Sequence, residues 1–270
     1  MSQAPSLAER FLALHRPGAP LLLPNAWDAG SAKLLASLGF EALATTSSGF
    51  AATLGRLDGQ VTADEALEHG AAMAAACGLP VSADLENGFA ADPAGVARTI
   101  ARAGAAGLAG GSIEDFTGDS ADPIYEAGAA AERVAVAAEA AAAVPGGFVL
   151  TARSENFLHG REDLDDTIAR LRAYEAAGAD VLYAPGLRRI EDIAAVVEAV
   201  ERPVNVLALP DLPPVAELAA AGVARISVGG AFAFAAFGAA AAAARELRDE
   251  GTYGFWAQAR PGASAARAAF

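Results

Sequence analysis

Two carboxylates one residue apart, Asp84 and Glu86, stand in the stretch Val81-Ser82-Ala83-Asp84-Leu85-Glu86-Asn87-Gly88. The apolar start after Pro80 reads as a buried strand, and strand alternation sends residues i and i+2 to the same side. A second acidic strand end follows at Ser112-Ile113-Glu114-Asp115. Three carboxylates at one rim repel each other unless a cation lies between them. A hard divalent ion with oxygen ligands answers that need, Mg²⁺ first and Mn²⁺ as the alternative. The expected metal set is therefore Asp84, Glu86 and Glu114.

Other polar residues fall where strands are expected to end. They are Asn25, Trp27 and Asp28, the run Thr46-Ser47-Ser48-Gly49-Phe50, then Arg153, Glu155, Tyr183, Asn205 and Ser227. Arg153 is the main cation of this set, and its planar fork suits a carboxylate or phosphonate. Ser47 to Phe50 reads as a loop whose backbone N–H groups could face an anion. Gly229-Gly230 is weighed as a phosphate site, with close packing against a helix as the plainer reading.

These residues share a site only if the chain between them supplies the right elements. Short apolar runs at Leu21–Leu23, Ala42–Thr46, Val81–Asp84, Leu108–Ile113, Phe148–Ala152, Val181–Tyr183, Val204–Leu207 and Ala224–Val228 alternate with helical segments. That rhythm means parallel βαβ units. Eight of them make an α/β fold of the (β/α)8 barrel type, with its chemistry at the C-terminal ends of the strands. Ser6, Thr62 with Glu65, and Asp92 with Pro93 mark helix starts. The long polar connection 116–128 reads as a lid, and 230–258 as a C-terminal helical segment that is buried or packed on a partner. No Pro- or Ser-rich linker divides the chain, so residues 1–270 read as one domain.

Composition removes several chemistries. The formal charge of −14 argues against a nucleic-acid partner. Lys33 is the only lysine, which disfavours Schiff-base catalysis. His15, His69 and His159 lack ligand spacing, and Cys77 is the only cysteine, so a zinc site is not expected. No apolar leader or membrane-length run appears, and the expectation is a cytoplasmic protein with no membrane partner.

Taken together, Pro24-Asn25-Ala26-Trp27-Asp28, Thr46-Ser47-Ser48-Gly49, Leu57-Asp58-Gly59, Asp84-Leu85-Glu86-Asn87-Gly88, Ile113-Glu114-Asp115, Ala152-Arg153 and Val204-Asn205 resemble the isocitrate lyase / phosphoenolpyruvate mutase superfamily. The resemblance runs from about Leu21 to Phe237. It implies a barrel whose last helix swaps into a neighbouring subunit, hence a homodimer or homotetramer. It implies Mg²⁺ held by Asp84, with Glu86 and Glu114 reached directly or through water, and a small 2-oxo acid chelated to it. Ser47, Ser48, Gly49, Phe50 and Arg153 would hold the substrate carboxylate, with Asn205 beside it and Trp27 and Asp58 at its border. Asp58, Arg153 and Glu114 are the catalytic candidates. The metal would stabilise the enolate formed when a bond to C3 breaks.

The sequence also departs from the family's better-defined branches. Isocitrate and methylisocitrate lyases carry a Cys-containing lid with Lys and His, and a Glu after strand six. Here the lid begins Phe116-Thr117-Gly118-Asp119-Ser120-Ala121-Asp122-Pro123, and Ala184-Pro185-Gly186 follows strand six. The Lys and Asn of phosphonate-branch lids are absent too. The expected activity is Mg²⁺-dependent lysis or decarboxylation of a small 2-oxo dicarboxylate, oxaloacetate first. Alternatives are a phosphonopyruvate hydrolase or phosphoenolpyruvate mutase, a retro-aldol lyase of the 2-methylisocitrate type, or a weakly catalytic 2-oxo acid binding protein.

Overall fold

The computed structural model describes residues 4–270. Local capping sets where the helices begin. Ser6 and Glu9 form a reciprocal capping box at the start of the first helix, and Thr62 and Glu65 form another. Asp92 caps the helix that opens with Pro93, whose fixed φ suits a first turn.

The elements run α1 (Leu7–Ala13), β1 (Leu21–Leu23), α2 (Ala29–Ser37), β2 (Leu43–Ala44), α3 (Ser47–Thr53), α4 (Ala63–Cys77), β3 (Val81–Asp84), α5 (Pro93–Ala105), β4 (Gly110–Glu114), α6 (Ala127–Ala142), β5 (Val149–Arg153), α7 (Leu164–Ala176), β6 (Val181–Tyr183), α8 (Ile190–Ala199), β7 (Val204–Leu207), α9 (Val215–Ala220), β8 (Arg225–Ser227), α10 (Ala231–Arg245) and α11 (Trp256–Ala269). All strand pairs are parallel, in the order β1-β8-β7-β6-β5-β4-β3-β2. The two ends, β1 and β2, meet through a single bridge from Asn25 to Ala44. The fold is a (β/α)8 barrel, closed along seven ladders and stitched along the eighth side.

Apolar residues pack between the strands and the helical ring, with Leu85, Ile100, Leu150, Leu171, Leu182 and Ile193 fully buried. Phe11 of α1 is likewise buried, against β5 and β6 residues Val149 and Val181. Inside the barrel the register draws one polar line. Glu114, Arg153, Tyr183, Asn205 and Arg225 are successive Cα partners across β4 to β8. Partners in register share a face of a sheet.

Three expectations need correction. Ser47 to Phe50 is no loop: it is the first turn of α3, because Thr46 caps it by accepting the Gly49 N–H. In the C-terminal segment 230–258, α10 continues as a π-helical turn over Glu246–Glu250, breaks at Gly251 (φ +64°), and α11 begins at Trp256 and packs on α2. In α10 only Ala233 is buried, while Phe232, Phe234 and Phe237 are 40%, 51% and 44% exposed, so this helix is not buried within its own chain. The connection after β4 is shorter than 116–128, since α6 starts at Ala127, and it is folded on itself. Phe116 bridges to Ile124, and the Thr117 N–H bonds Pro123 O at 2.8 Å. No described helix is long and apolar enough to cross a membrane.

Candidate active site

A cavity of about 190 Å³ opens at the C-terminal ends of the strands. Its lining includes Ser47, Ser48, Asp58, Asp84, Arg153 and Asn205 of the expected set, together with Tyr183, Ser227 and Arg225. Asp58 and Asp84 are the acids of this lining. The Asp84 N–H bonds Thr45 Oγ1 at 2.8 Å, and its Oδ2 accepts the Ser47 N–H at 3.2 Å.

Glu86 reaches this neighbourhood by a route different from strand alternation. The strand stops at Asp84, and Glu86 adopts φ +47°, the left-handed region that non-glycine residues rarely enter. Its N–H turns back onto Asp84 Oδ1 at 3.4 Å. Backbone strain of this kind concentrates at functional sites. Glu86 Oε1 is buried without a hydrogen-bond partner. Desolvation, then the charges of Asp84 and Asp58, push its pKa up to about 7.

Asp84, Glu86 and Glu114 do not converge on one point. Among the described residues no three His, Cys, Asp or Glu side chains are grouped as a metal cage. Arg153 stands between Asp84 and Glu114. Its Nη1 lies 3.1 Å from Asp84 Oδ1 and 3.2 Å from Glu114 Oε2, and its Nε bonds Glu155 Oε1 at 2.8 Å. The guanidinium also lies 5.2 Å from the Tyr183 ring. Burial raises Glu114 well above the usual carboxylate range, against the pull of Arg153. Asp58, at the solvent edge, is raised by desolvation and by Asp84, with the Ser47 side chain acting the other way.

The residues fit a hard divalent ion in one respect and limit it in another. Asp58, Asp84, Glu86 and Glu114 offer oxygen donors only, Glu86 Oε1 is orphaned, and acid outweighs the one guanidinium among them. Mg²⁺ commonly takes one or two carboxylates and fills the rest of its shell with water and substrate oxygens. A site without a full protein cage suits that habit.

The remaining expected residues are placed less directly. Trp27 packs beside Gly49, where an added Cβ would meet the Trp27 Cβ at 3.3 Å. Phe50 stacks on His69 at 3.7 Å, and its N–H is spent on Thr46 O at 3.0 Å. Gly49 gives its N–H to Thr46 Oγ1. Neither backbone donor is free for a ligand. Gly230 packs tightly, since a Cβ there would come within 2.6 Å of Ser48 Oγ. Asn205 Nδ2 bonds Ser227 Oγ at 2.9 Å.

A buried support lies behind the rim. Asp115 is 3% exposed and accepts from Tyr174 Oη at 2.5 Å, Arg170 Nη1 at 3.3 Å and the Glu155 N–H at 2.7 Å. It thereby fixes Glu155, which in turn holds Arg153. Tyr174→Phe is expected to cost about 1–3 kcal/mol of stability, the scale for leaving a buried acceptor short of a partner. Urea unfolding measures it; an unchanged midpoint contradicts this support role.

A family described as phosphoenolpyruvate phosphomutase matches residues 11–248. The chain belongs to this family, within the phosphoenolpyruvate mutase/isocitrate lyase superfamily. A solved structure from Burkholderia cenocepacia J2315, described as a lyase/mutase, is 57% identical with a TM-score of 0.92, covering 96% of this chain and 94% of that one. Oxaloacetate acetylhydrolase, solved with its product oxalate, is 27% identical with a TM-score of 0.84, covering 92% and 89%. Oxaloacetate decarboxylase of Bradyrhizobium sp. (strain BTAi1) is 31% identical over 188 residues, covering 67% of this chain and 63% of that protein. Members of this superfamily are lyases and mutases of small molecules, so the chain is read as an enzyme.

Arg225 and Tyr183 deserve a place beside the expected residues. Tyr183 was legible as a polar strand end. Arg225 is not among the expected residues, and its signal in the sequence is a charge opening the apolar strand Arg225-Ile226-Ser227.

Proposed function

We propose that this protein is a divalent-metal-dependent lyase of a small 2-oxo dicarboxylate, with oxaloacetate the leading substrate. The observation that carries the reading is that Asp58 and Asp84 line one small cavity with Ser47, Ser48 and Arg153, while Glu86 and Glu114, outside the lining, feel the Asp84 charge. A bound Mg²⁺ or Mn²⁺ would supply Lewis-acid polarisation of the 2-oxo group. Asp84 would hold it, with Glu86 and Glu114 reached directly or through water. Ser47 and Ser48 orient the carboxylate beside the oxo group. Arg153 offers its remaining N–H donors to substrate while keeping the acids apart. The carbon–carbon bond at C3 breaks, its electrons pass to the enolate, and a proton returns to C3.

Decarboxylation asks least of the surroundings, because CO₂ leaves without a general acid. The folded loop Phe116–Glu126 carries no Cys, Lys or His to serve one. The oxaloacetate decarboxylase and acetylhydrolase relatives support the same substrate. Turnover of oxaloacetate, phosphonopyruvate and 2-methylisocitrate, measured side by side with Mg²⁺ and with chelator, tests the assignment. Chelator-sensitive loss of oxaloacetate above the free-ion background is expected. Phosphate release from phosphonopyruvate, or its conversion to phosphoenolpyruvate, would move the enzyme to phosphorus–carbon chemistry. Cleavage of 2-methylisocitrate would make it a retro-aldol lyase. Binding without turnover would leave a binding protein.

Glu86 gives the site a pH signature. Its pKa rises from an ordinary 4.5 to about 7 on folding. Between those values the folded state holds a proton that the unfolded chain has lost, so stability falls as pH rises through that window. Metal binding must expel the same proton. Apparent Mg²⁺ affinity is therefore expected to fall below about pH 7, with proton release seen by calorimetry in buffers of different ionisation heat. Binding that is indifferent to pH from 5.5 to 8 removes Glu86 from the metal's surroundings.

We propose further that residues 1–270 act as one domain and that α10 packs on a second copy of the chain. Its exposed Phe232, Phe234 and Phe237 form the apolar surface for that contact. Light scattering is expected to give a dimer or tetramer.

A further inference from the structure

Arg225 opens β8 and points into the cavity, and the residue is 3% exposed. Its Nη1 lies 3.2 Å from Thr151 Oγ1 and 3.2 Å from His15 Nε2. His15 Nδ1 bonds Phe11 O at 2.9 Å, so Nδ1 carries the ring proton and Nε2 accepts from Arg225. Burial, then the Arg225 charge itself, lowers the His15 pKa to about 3, and the ring is neutral. Neither partner is an anion.

The other face of this guanidinium is unused. Nε is buried with no hydrogen-bond partner, and among the described residues neither a carboxylate nor a carbonyl takes Nη2. Other buried arginines differ. Arg170 pairs with Asp115 and Asp166, and Arg133 gives its donors to the carbonyls of Asn87, Ala90 and Ala91. A buried charge is ordinarily paired or fully hydrogen-bonded, because removing it from water is costly. Nη2 is the donor left for an anion, and a guanidinium N–H to a carboxylate is a strong, charge-assisted hydrogen bond.

The position of that donor gives it a use. Arg225 lines the same cavity as Asp84, Ser47, Ser48 and Arg153. Tyr183 and Asn205 stand between the two arginines in register, and Asn205 Oδ1 is also without a partner. The acids crowd the Asp84 end of the cavity, and no carboxylate lies against the Arg225 end. One cavity therefore has a cation-seeking end and an anion-seeking end. Arg225 thus lines the cavity with no anion against it, while its Nε is sealed among protein atoms.

We propose that Arg225 binds the second carboxylate of the substrate, remote from the 2-oxo acid end at Asp84, and so selects dicarboxylates over monocarboxylic 2-oxo acids. This rests on the 2-oxo acid reading above. Mg²⁺-dependent binding of two probes tests it by calorimetry. Oxalate carries only the chelating end, whereas 3,3-difluorooxaloacetate adds the remote carboxylate. The wild-type protein is expected to bind the longer probe more tightly. In Arg225→Met its affinity should fall by about 100-fold, the lower range for losing a charged partner, with oxalate affected less than about threefold. Arg225→Lys should recover part of the loss, since it keeps the charge with a different reach. Equal weakening of both probes, or none, overturns the proposal. Should neither variant fold, the wild-type protein decides with the remote monoester of the longer probe: unchanged affinity for the ester overturns the proposal, and at least tenfold weakening supports it. Failure of oxalate to bind the wild-type protein with Mg²⁺ strikes the 2-oxo acid reading itself, and this proposal falls with it.

Discussion

Asp84→Ala is expected to abolish metal-dependent turnover while leaving the fold intact. Asp84 is the carboxylate on which the cavity's polar groups centre: the Ser47 N–H, the Glu86 N–H and Arg153 Nη1 all point at it. Loss of a mere supporting partner of a metal site already costs about 10–100-fold. Loss of the proposed direct ligand should exceed that and leave only the free-ion background. Stability should move the other way or not at all. Asp84 raises the pKa of Glu86, Glu114 and Asp58 through its charge, so its removal relieves repulsion among the acids. Arg153 retains Glu114 and Glu155 as partners. A lost thermal shift on adding Mg²⁺, with an unchanged or higher midpoint without it, is the pattern to look for. Full Mg²⁺-dependent activity in this variant would remove Asp84 from the site.

Arg153→Met should harm both substrate binding and stability. The side chain is 14% exposed and opposes three carboxylates. Deleting one partner of a buried ion pair costs about 3–5 kcal/mol, because the charge left behind has no counterion. Burial and neighbouring acids already raise Glu114 and Glu155, and without Arg153 both rise further. Protonation then compensates, so the stability deficit should shrink as pH falls. Urea unfolding of both proteins at several pH values measures this. In turnover, KM should rise strongly, since the substrate loses a guanidinium on the cavity wall. The double variant Arg153→Met/Glu155→Gln should regain part of the stability but none of the KM, because the two roles involve different partners. A variant that keeps wild-type KM separates Arg153 from substrate binding.

Much of the barrel was legible because its signals are local. Leu21–Leu23, Val181–Tyr183 and Val204–Leu207 announce strands by apolar runs, and the structure keeps those bounds. Ser6, Thr62 and Asp92 announce helix starts through the hydrogen bonds they go on to make. Three features depend on tertiary context and were not legible. Ser-Ser-Gly reads as a turn, and only the Thr46 cap and the packing of Gly49 against Trp27 make it helical. Glu86 reaches its place through a left-handed residue, which no period-2 pattern predicts. Pro261 lies inside α11, where a proline normally argues against helix. In the site, residue types pointed to the rim, but pairing did not. Whether Arg153 faces solvent, substrate or three acids depends on strands that are distant in sequence. Arg225 lies in an apolar strand, and its place at the cavity depends on the same distant packing.

The single bridge between β1 and β2 has a kinetic meaning. Neighbouring strands elsewhere share ladders of two to five register pairs, whereas this side relies on Asn25, whose side chain ties Thr45 O to the N–H groups of Val228 and Gly229. Amide protons along this side are expected to exchange with deuterium sooner than those of β4 and β5, since opening energies follow local contact density. Thr46, Ser47 and Gly229 flank the same line and also line the cavity. Breathing of the barrel and admission of small molecules to its mouth would then be one motion, with Asn25 as its latch.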